Sequence, residues 1–254
     1  GYLNVVVFVP DDLSLVKGSP STRRKFIDLE LSKISPIYAF YLAKYNRLLK
    51  ERNQYLKLLS KKNGKYDDYL ETIDEQMVDV QLKVIEKREN FIERLSKNVK
   101  DVYKSIADNE EYVDLHYLCF IKKKDKEELL KLYKKEFSRD LKYLSTTHGI
   151  HKEDMKIMID RKSAHQYASQ GQQRTIVLSI KIALLELIKE EIGEYPILLL
   201  DDVLSELDDQ RKTKLLDILN NRIQTFITTT SIDGIEHHVI KEAKKININR
   251  KEKQ

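Results

Sequence analysis

The 254-residue sequence has little cysteine, glycine or proline and no tryptophan. Its single cysteine, Cys119, excludes an intrachain disulfide framework and a metal cluster built on several thiolates, which fits a reducing cytoplasm. No apolar run approaches the ~18 residues that a membrane-spanning helix needs. The N-terminal stretch also lacks the basic segment and cleavage site of a secretory signal. These absences predict a cytoplasmic protein with no membrane partner.

A loop that could cradle nucleotide phosphates is also missing. None of the seven glycines takes part in a G-x-x-x-x-G-K-S/T motif. The first residues, Gly1 to Phe8, carry no initiator methionine and are typical of the interior of a strand. We therefore expect the chain to be a fragment of a longer protein.

Charged residues are abundant, at 34% of the sequence. The 46 basic and 41 acidic side chains leave a net charge of +5, which permits nucleic-acid binding without requiring it. The 41% of hydrophobic residues is enough for the core of one large domain or two smaller ones.

Hydrophobic periodicity divides the chain into a helical part and an α/β part. Apolar residues recur every three or four positions over residues 67–106, which predicts one helix of ~40 residues and roughly 60 Å. Residues 36–60 are expected to pack back against it, either as an antiparallel arm or as part of a plain bundle. After residue 150 strands and helices alternate, which indicates an α/β lobe. We expect strands at residues 3–9, 113–121, 155–159, 196–200 and 224–228, and a closing pair at Val239-Ile240 with Ile246 and Ile248.

A polar turn at residues 169–174, with sequence SQGQQR, opens one of the helices. The unpaired N–H groups and partial positive charge of a helix N-terminus attract phosphate. Ser169 adds a hydroxyl group, and Gly171 allows the backbone to approach a ligand closely. Taken alone, the same residues also describe an ordinary capped helix.

About 25 residues later, the apolar run from Ile197 to Leu200 ends in Asp201 and Asp202. Carboxylates at the carboxyl end of a strand point into the crevice where α/β folds bind ligands. Asp201 is suited to hold Mg²⁺, and Asp202 stands where a general base would orient the attacking water. As a candidate base, aspartate reaches one methylene less far than glutamate, so slow hydrolysis is expected. The alternative is a strand that ends in a capping aspartate.

A short turn follows at once, and three threonines follow the next predicted strand. Ser205, Glu206 and Asp208 can cap the next helix, or they can lie at a dimer interface that couples two sites. The run Thr228-Thr229-Thr230 begins at the end of the next predicted strand, and its hydroxyl groups could contact phosphate or water.

The order of these motifs resembles the C-terminal half of an ABC-type ATPase head. In this resemblance the turn at residues 169–174 is the signature motif, the strand that ends in Asp201 and Asp202 is Walker B, and Ser205, Glu206 and Asp208 form the D-loop. ABC-type heads usually carry a switch histidine where this chain has Thr228-Thr229-Thr230. Residues 8–28, with FVPDDLSLVKG followed by RRKFID, are similar to a segment of the RecF family, as are residues 34–53. Residues 149–154 are similar to the family's G-P-H-R-x-D segment, from which Ile150 and Lys152 depart.

The resemblance implies an α/β fold, the C-terminal lobe of an ABC-type ATPase head with an inserted all-helical arm domain. It divides the chain into the end of an N-terminal head lobe (1–20), the arm (21–108) and the C-terminal lobe (109–254). It also implies that ATP and Mg²⁺ bind with a Walker A lobe from outside this sequence and drive homodimerisation. Asp201 and Asp202 would act in cis, and the signature residues in trans: Ser169, Gln170, Gly171 and Gln172.

The resemblance further implies binding to single- and double-stranded DNA without sequence preference. It implies partnership with RecR, indirectly with RecO, and loading of RecA at gapped DNA. The candidate DNA contacts are basic side chains: Arg23, Arg24, Arg47, Lys50, Arg52, Lys122, Lys123 and Lys124. A second hypothesis is a structural and interaction module with no ATPase of its own. A third, an ABC-transporter nucleotide-binding domain, is disfavoured by the long helical segment and by Asp202.

Overall fold

A computed structural model describes residues 4–62, 64–107, 110–219, 222–230 and 241–247, without the side chain of Glu206. The helices are α1 (Ser14–Lys17), α2 (Pro20–Ile34), α3 (Pro36–Lys61), α4 (Asp68–Ala107), α5 (Lys126–Tyr143), α6 (Ala164–Tyr167), α7 (Gln170–Ile192) and α8 (Asp209–Leu219). The strands are β1 (Val5–Phe8), β2 (Val113–Leu118), β3 (Asp154–Ile159), β4 (Lys162–Ser163), β5 (Ile197–Asp201) and β6 (Thr225–Thr228). Short 3-10 turns lie at Pro10–Leu13, Ile150–Lys152 and Leu204–Glu206.

The first sheet is parallel, with the described strands in the order β1–β5–β6. Its inner face carries Val6, Phe8 and Leu200, all buried in the main core. On the outer face Val7 and Phe226 lie in register on either side of Leu199, and they are 39% and 52% exposed. The expected strands at 3–9, 196–200 and 224–228 are confirmed within the described residues.

The closing pair expected after residue 238 falls mainly outside the described part. Val239, Ile240 and Ile248 lie in ranges that the structure does not describe. Ile246 belongs to a described segment, residues 244–247, that has no regular secondary structure.

The second sheet is antiparallel, with the order β2–β3–β4. Val113 faces Ile159 and Leu115 faces Ile157, so one face of the β2–β3 pair enters the core. The predicted strands at 113–121 and 155–159 are confirmed, although β2 ends at Leu118.

The helical hairpin follows from local sequence signals. The Ser35 side chain accepts a hydrogen bond from the backbone N–H of Tyr38, and Pro36 takes the first helical position, where it lacks only an N–H group that would be unpaired anyway. This cap separates α2 from α3. The predicted 40-residue helix is confirmed as α4, and it packs along α3.

Helix α4 belongs to two environments. Near its start Leu70 packs with Leu56 and Leu59 of α3 in a small separate cluster. Further along, Phe91 and Leu95 share one core with residues of α7 and of the first sheet. The first turns of α4 therefore pack in the hairpin with α3, and the helix from Met77 onward belongs to the main core. The domain boundaries at residues 20 and 108 stay predictions, since the main core runs across both.

Two buried arginines hold the helical region to the segment before β3. Arg52 donates to Asp74 at 2.5 Å, to Asp140 at 2.6 Å and to the hydroxyl group of Thr146 at 2.9 Å. Burial raises the pKa of Asp74 even with the Arg52 guanidinium beside it.

Arg88 is the second buried arginine and lies further along α4, among the residues of the main core. It donates to Asp28 at 2.7 Å, to the carbonyl of Ile150 at 2.8 Å and to Glu153 at 3.2 Å. Side chains far apart in sequence are thus joined by buried charged hydrogen bonds. Among the described helices, none has the length and apolar character needed to cross a membrane.

Candidate nucleotide site

Neighbouring parallel strands bring Asp201 and Thr228 together at their carboxyl ends. Asp201 is the last residue of β5 and lies in register with Thr228, the last residue of β6. The Thr228 hydroxyl donates to Oδ1 of Asp201 at 2.6 Å. Asp201 is exposed, so this bond orients the carboxylate without removing it from solvent. The carboxyl end of a parallel sheet is where α/β folds bind ligands.

Asp202 adopts a backbone conformation that is uncommon for its residue type. Its φ of 54° lies in the left-handed region, where a Cβ atom is crowded. The conformation is held by bonds from the Asp202 N–H to the Thr228 carbonyl (3.1 Å) and hydroxyl (3.2 Å). The Ser205 hydroxyl donates to the Asp202 carbonyl at 2.7 Å.

The Asp202 side chain shows a second irregularity. Its Oδ1 atom is buried and has no hydrogen-bond partner among the described residues. Buried carboxylate oxygens are normally satisfied, and backbone strain collects at functional sites. This oxygen therefore lacks a hydrogen bond that a water molecule or a ligand would have to supply.

The side chains at the end of β5 fit a magnesium nucleotide. Asp201 and Asp202 supply only oxygen atoms, which Mg²⁺ prefers. No group of three or more His, Cys, Asp or Glu suited to a metal occurs in the described part of the chain. Mg²⁺ is commonly bound by one or two carboxylates plus water and substrate phosphate, and Asp201 and Asp202 would supply the carboxylates.

The signature turn is a fully formed helix cap. The Gln172 N–H donates to the Ser169 hydroxyl at 3.2 Å, and the Ser169 N–H donates to Gln172 Oε1 at 2.7 Å. This reciprocal pair is a capping box. Ser169 and Gln170 are exposed, whereas Gly171 and Gln172 are half-buried. The turn therefore presents the N-terminus of a 23-residue helix to solvent.

The segment that follows Asp202 has clear local functions. Ser205 donates to the Asp202 carbonyl, and Asp208 Oδ1 accepts the N–H of Arg211 at 2.9 Å, which caps α8. Both residues are exposed. Glu206 lies in the 3-10 turn Leu204–Glu206, and its side chain is outside the described part. A role of this segment at a dimer interface stays a prediction.

The predicted DNA contacts divide into two groups. Arg52 is completely buried, and Arg23 is 9% exposed and binds both carboxylate oxygens of Asp154 at 2.7 and 2.8 Å. The prediction that these two residues contact DNA is wrong, because their guanidinium groups are buried and form ion pairs with carboxylates inside the protein.

The other basic side chains are accessible. Arg24 is half-buried and donates to the Glu153 carbonyl at 2.6 Å. Lys123 and Lys124 form surface ion pairs with Glu128 and Glu89, which cost little to break. The remaining three are exposed: Arg47, Lys50 and Lys122. For these residues DNA contact stays a prediction.

Comparison with known proteins shows the family of this chain. Over 259 aligned residues the chain is 45% identical to the DNA replication and repair protein RecF of Staphylococcus carnosus strain TM300. It is 44% identical to RecF of Staphylococcus aureus strain JH9. Each alignment covers 99% of this chain and 70% of the relative. The chain belongs to the RecF family. No family model matches it.

Solved structures agree with this assignment. A structure described as the recombination mediator protein RecF-ATP in the RecFOR pathway superposes with a TM-score of 0.83 at 38% identity. A RecF-ATPrS structure gives 0.82, also at 38% identity. Both cover 92% of this chain, which spans 64% of theirs. The expected fold is confirmed: a RecF-type α/β ATPase-head lobe with a helical insertion.

Sequence reasoning missed two residues around the RecF motifs and found only part of the role of a third. Thr228 was noted only as a possible contact for phosphate or water, whereas it bonds both aspartates. Glu111 and Arg211 were not identified, although both contact the signature turn. The position of Thr228 at the carboxyl end of the β6 strand was a usable signal, but no local pattern marked the other two.

Proposed function

We propose that this chain is part of an ATP-dependent, dimerising, DNA-binding ATPase of the RecF type that acts in DNA repair and recombination. With RecR, and indirectly RecO, it would help to load RecA at gaps or junctions of single- and double-stranded DNA. The cytoplasm is the compartment for such work. The observation that carries the proposal is the pair Asp201 and Asp202, with a buried unpartnered oxygen, at the carboxyl end of β5.

Each motif has a distinct role in this proposal. Asp201, oriented by the Thr228 hydroxyl, would bind Mg²⁺ and so help to neutralise phosphate charge. Asp202 would accept a hydrogen bond from the attacking water at its free oxygen. Ser169 and the first N–H groups of α7 would bind the terminal phosphate of a nucleotide held by the partner subunit.

The phosphate-binding loop must come from outside these 254 residues, since no G-x-x-x-x-G-K-S/T motif occurs in them. That absence also favours a second function for this chain by itself, as a structural and protein-interaction module that does not bind ATP independently. The two functions differ in a measurable way, because the module would not respond to nucleotide.

DNA binding belongs to the same proposal. The accessible basic residues named above would contact phosphates, and such contacts are insensitive to base sequence. They are Arg24, Arg47, Lys50, Lys122, Lys123 and Lys124.

The test is a complementation experiment with the full-length RecF of Staphylococcus carnosus. Its own signature serine is first changed to arginine, so that it cannot supply the signature turn to a second copy. The 254-residue chain is added with and without ATP and Mg²⁺, and complex formation is measured by sedimentation. We expect association that depends on ATP and is lost when the chain carries Ser169→Arg. Equal association without ATP would leave the interaction module as the function.

Calorimetry on the chain alone is the companion measurement. We expect no heat of binding with ATP and Mg²⁺, since the phosphate-binding loop is absent from the sequence. Micromolar binding by the chain alone would refute this division of the site between two lobes.

A further inference from the structure

The signature turn is supported from two sides by residues outside the motif. The capping box between Ser169 and Gln172 fixes the backbone of the turn. It does not fix how the turn is placed relative to the rest of the head. Two further contacts do so, and they come from different elements of the fold.

Glu111 forms the first support. The Gln172 amide accepts from the Ser169 N–H through Oε1, so its Nε2 group must point the other way, where it donates to Glu111 Oε1 at 2.7 Å. The second oxygen of Glu111 accepts from the hydroxyl of Tyr103, in the last turn but one of α4, at 2.9 Å. One carboxylate thus joins the signature turn to the end of the long helix.

Arg211 forms the second support. Its Nη1 atom lies 3.4 Å from the position that a Cβ atom would take at Gly171, so the guanidinium lies beside the turn, in the space that a side chain at this position would contact. The same Nη1 lies 3.4 Å from Asp208 Oδ2, and the Arg211 N–H bonds Asp208 Oδ1 at 2.9 Å. Arg211 therefore joins the signature turn to the start of α8, directly after the D-loop.

We propose that Glu111 and Arg211 are positioning residues that set the signature turn for recognition of the partner subunit's nucleotide. The inference rests on the proposed function for its consequence, but not for its geometry. The two supports act on adjacent residues of the turn, Gln172 and Gly171. Through them the long helix α4 and the D-loop are both joined to the turn that faces the partner.

The geometric part is tested on the 254-residue chain by amide hydrogen exchange. The reporters are the N–H groups of Gln172 and Gln173, which are both bonded to Ser169. Glu111→Gln is expected to speed their exchange roughly tenfold, the effect of losing one charge-assisted hydrogen bond to Gln172. Arg211→Gln is expected to speed it by a smaller factor, because Arg211 packs beside the turn and its ion pair with Asp208 is at the surface.

Matched controls exist next to each residue. Lys212→Gln removes a cation one position along α8 that pairs with Asp209 at 2.9 Å, and Glu110→Gln removes an exposed neighbour of Glu111. Neither should change exchange at the turn. Unchanged exchange in both test variants, with melting temperatures equal to that of the unaltered chain, would overturn the proposal. If Arg211→Gln melts early, it is replaced by Arg211→Lys, which keeps the charge beside Asp208. If Glu111→Gln melts early, it is replaced by Glu111→Asp, which keeps the charge and shortens the reach to Gln172.

The functional part uses the complementation experiment with full-length RecF. Both test variants are expected to weaken ATP-dependent association about tenfold, with no change in the ATP-independent background. If the unaltered chain does not associate with ATP, the proposed function fails and the exchange result still decides the positioning role. If it associates and both variants associate equally well, the positioning role fails while the proposed function stands.

Discussion

Arg52 in the helical region and Asp202 at the end of β5 are both charged residues removed from bulk water, yet their surroundings differ. Every direction around the Arg52 guanidinium is filled: Asp74 and Asp140 balance its charge, and Thr146 takes a further hydrogen bond. Asp202 has a strained backbone and a buried oxygen with no partner among the described residues. The first arrangement leaves nothing for a ligand to bind, and the second is incomplete without one.

We use this difference to separate residues that stabilise the fold from residues that we expect to bind a ligand. A fully paired buried charge is costly to disturb, because its partners are left buried and uncompensated. An unpartnered buried oxygen lowers stability, and it persists where another requirement maintains it. In the described part of the chain, Gln81 Nε2 and Glu153 Oε1, between the helices, also lack a hydrogen-bond partner. What distinguishes Asp202 is that its unpartnered oxygen is combined with a backbone φ of 54° at the carboxyl edge of the parallel sheet.

The largest expected effect is on stability, at the helical end of the comparison. Arg52→Ala should lower the free energy of unfolding by roughly 3–5 kcal/mol, because it leaves Asp74 and Asp140 buried without a cation. Chemical denaturation followed by circular dichroism measures this loss.

The control for Arg52 is Arg94→Ala. Arg94 joins Glu190 and Glu191 at the surface, where ion pairs are worth less than ~1 kcal/mol. A comparable loss in both variants would mean that burial does not distinguish the two kinds of pair.

Sequence analysis recovered the motifs and long helices better than it recovered these charges. The 40-residue helix and the Asp201-Asp202 ending are visible in local periodicity and order. The partners Arg52 and Asp140 are 88 residues apart, so nothing near Arg52 signals that it is buried. It was instead assigned to a DNA surface, as charged residues usually lie outside. Glu111 was not predicted for the same reason as the burial of Arg52: its partner Gln172 lies 61 residues away in the sequence. Arg211 is likewise distant in sequence from the turn beside which it lies.

The next effect is on chemistry, at the sheet end of the comparison. In a full-length RecF whose matching segment is replaced by these 254 residues, Asp202→Asn should lower the rate of ATP hydrolysis at least ~100-fold, because an amide cannot serve as the base. ATP-driven dimerisation should persist, since binding does not need that carboxylate. Steady-state phosphate release and sedimentation measure the two. Equal loss of both would remove Asp202 from the role of base.

A smaller effect is the pH dependence of stability that His151 causes. This residue lies in the segment before β3, which both buried arginines contact. The His151 Nε2–H donates to the Thr146 carbonyl at 3.0 Å, since a carbonyl can only accept, and in the neutral ring Nδ1 accepts from the Tyr45 hydroxyl at 2.7 Å. Burial, together with the nearby cations Lys152 and Arg24, lowers the pKa of His151 to about 4.

The sign of the pH effect follows from that lowered pKa. Above about pH 6.5 His151 is neutral in both states, and its full contribution to stability is present. Between pH 6.5 and 4 the unfolded chain binds the proton first, so stability falls by up to ~2–3 kcal/mol. Denaturation curves at pH 7 and 5 should therefore differ more for the unaltered chain than for His151→Gln. Equal differences would show that His151 is not the titrating group.

The smallest expected effect is on stability and concerns the backbone conformation of Asp202. Asp202→Gly should raise the free energy of unfolding by about 1 kcal/mol, since glycine has no Cβ to crowd a φ of 54° and the unpartnered oxygen is removed. The melting temperature should rise by about 2–4 °C. Asp201→Gly is the control: it lies outside the left-handed region and loses the bond from Thr228, so it should melt earlier. A fall for Asp202→Gly would mean that its carboxylate stabilises the native fold as Arg52 does, and the distinction between residues that stabilise the fold and residues that bind a ligand would not apply to this site.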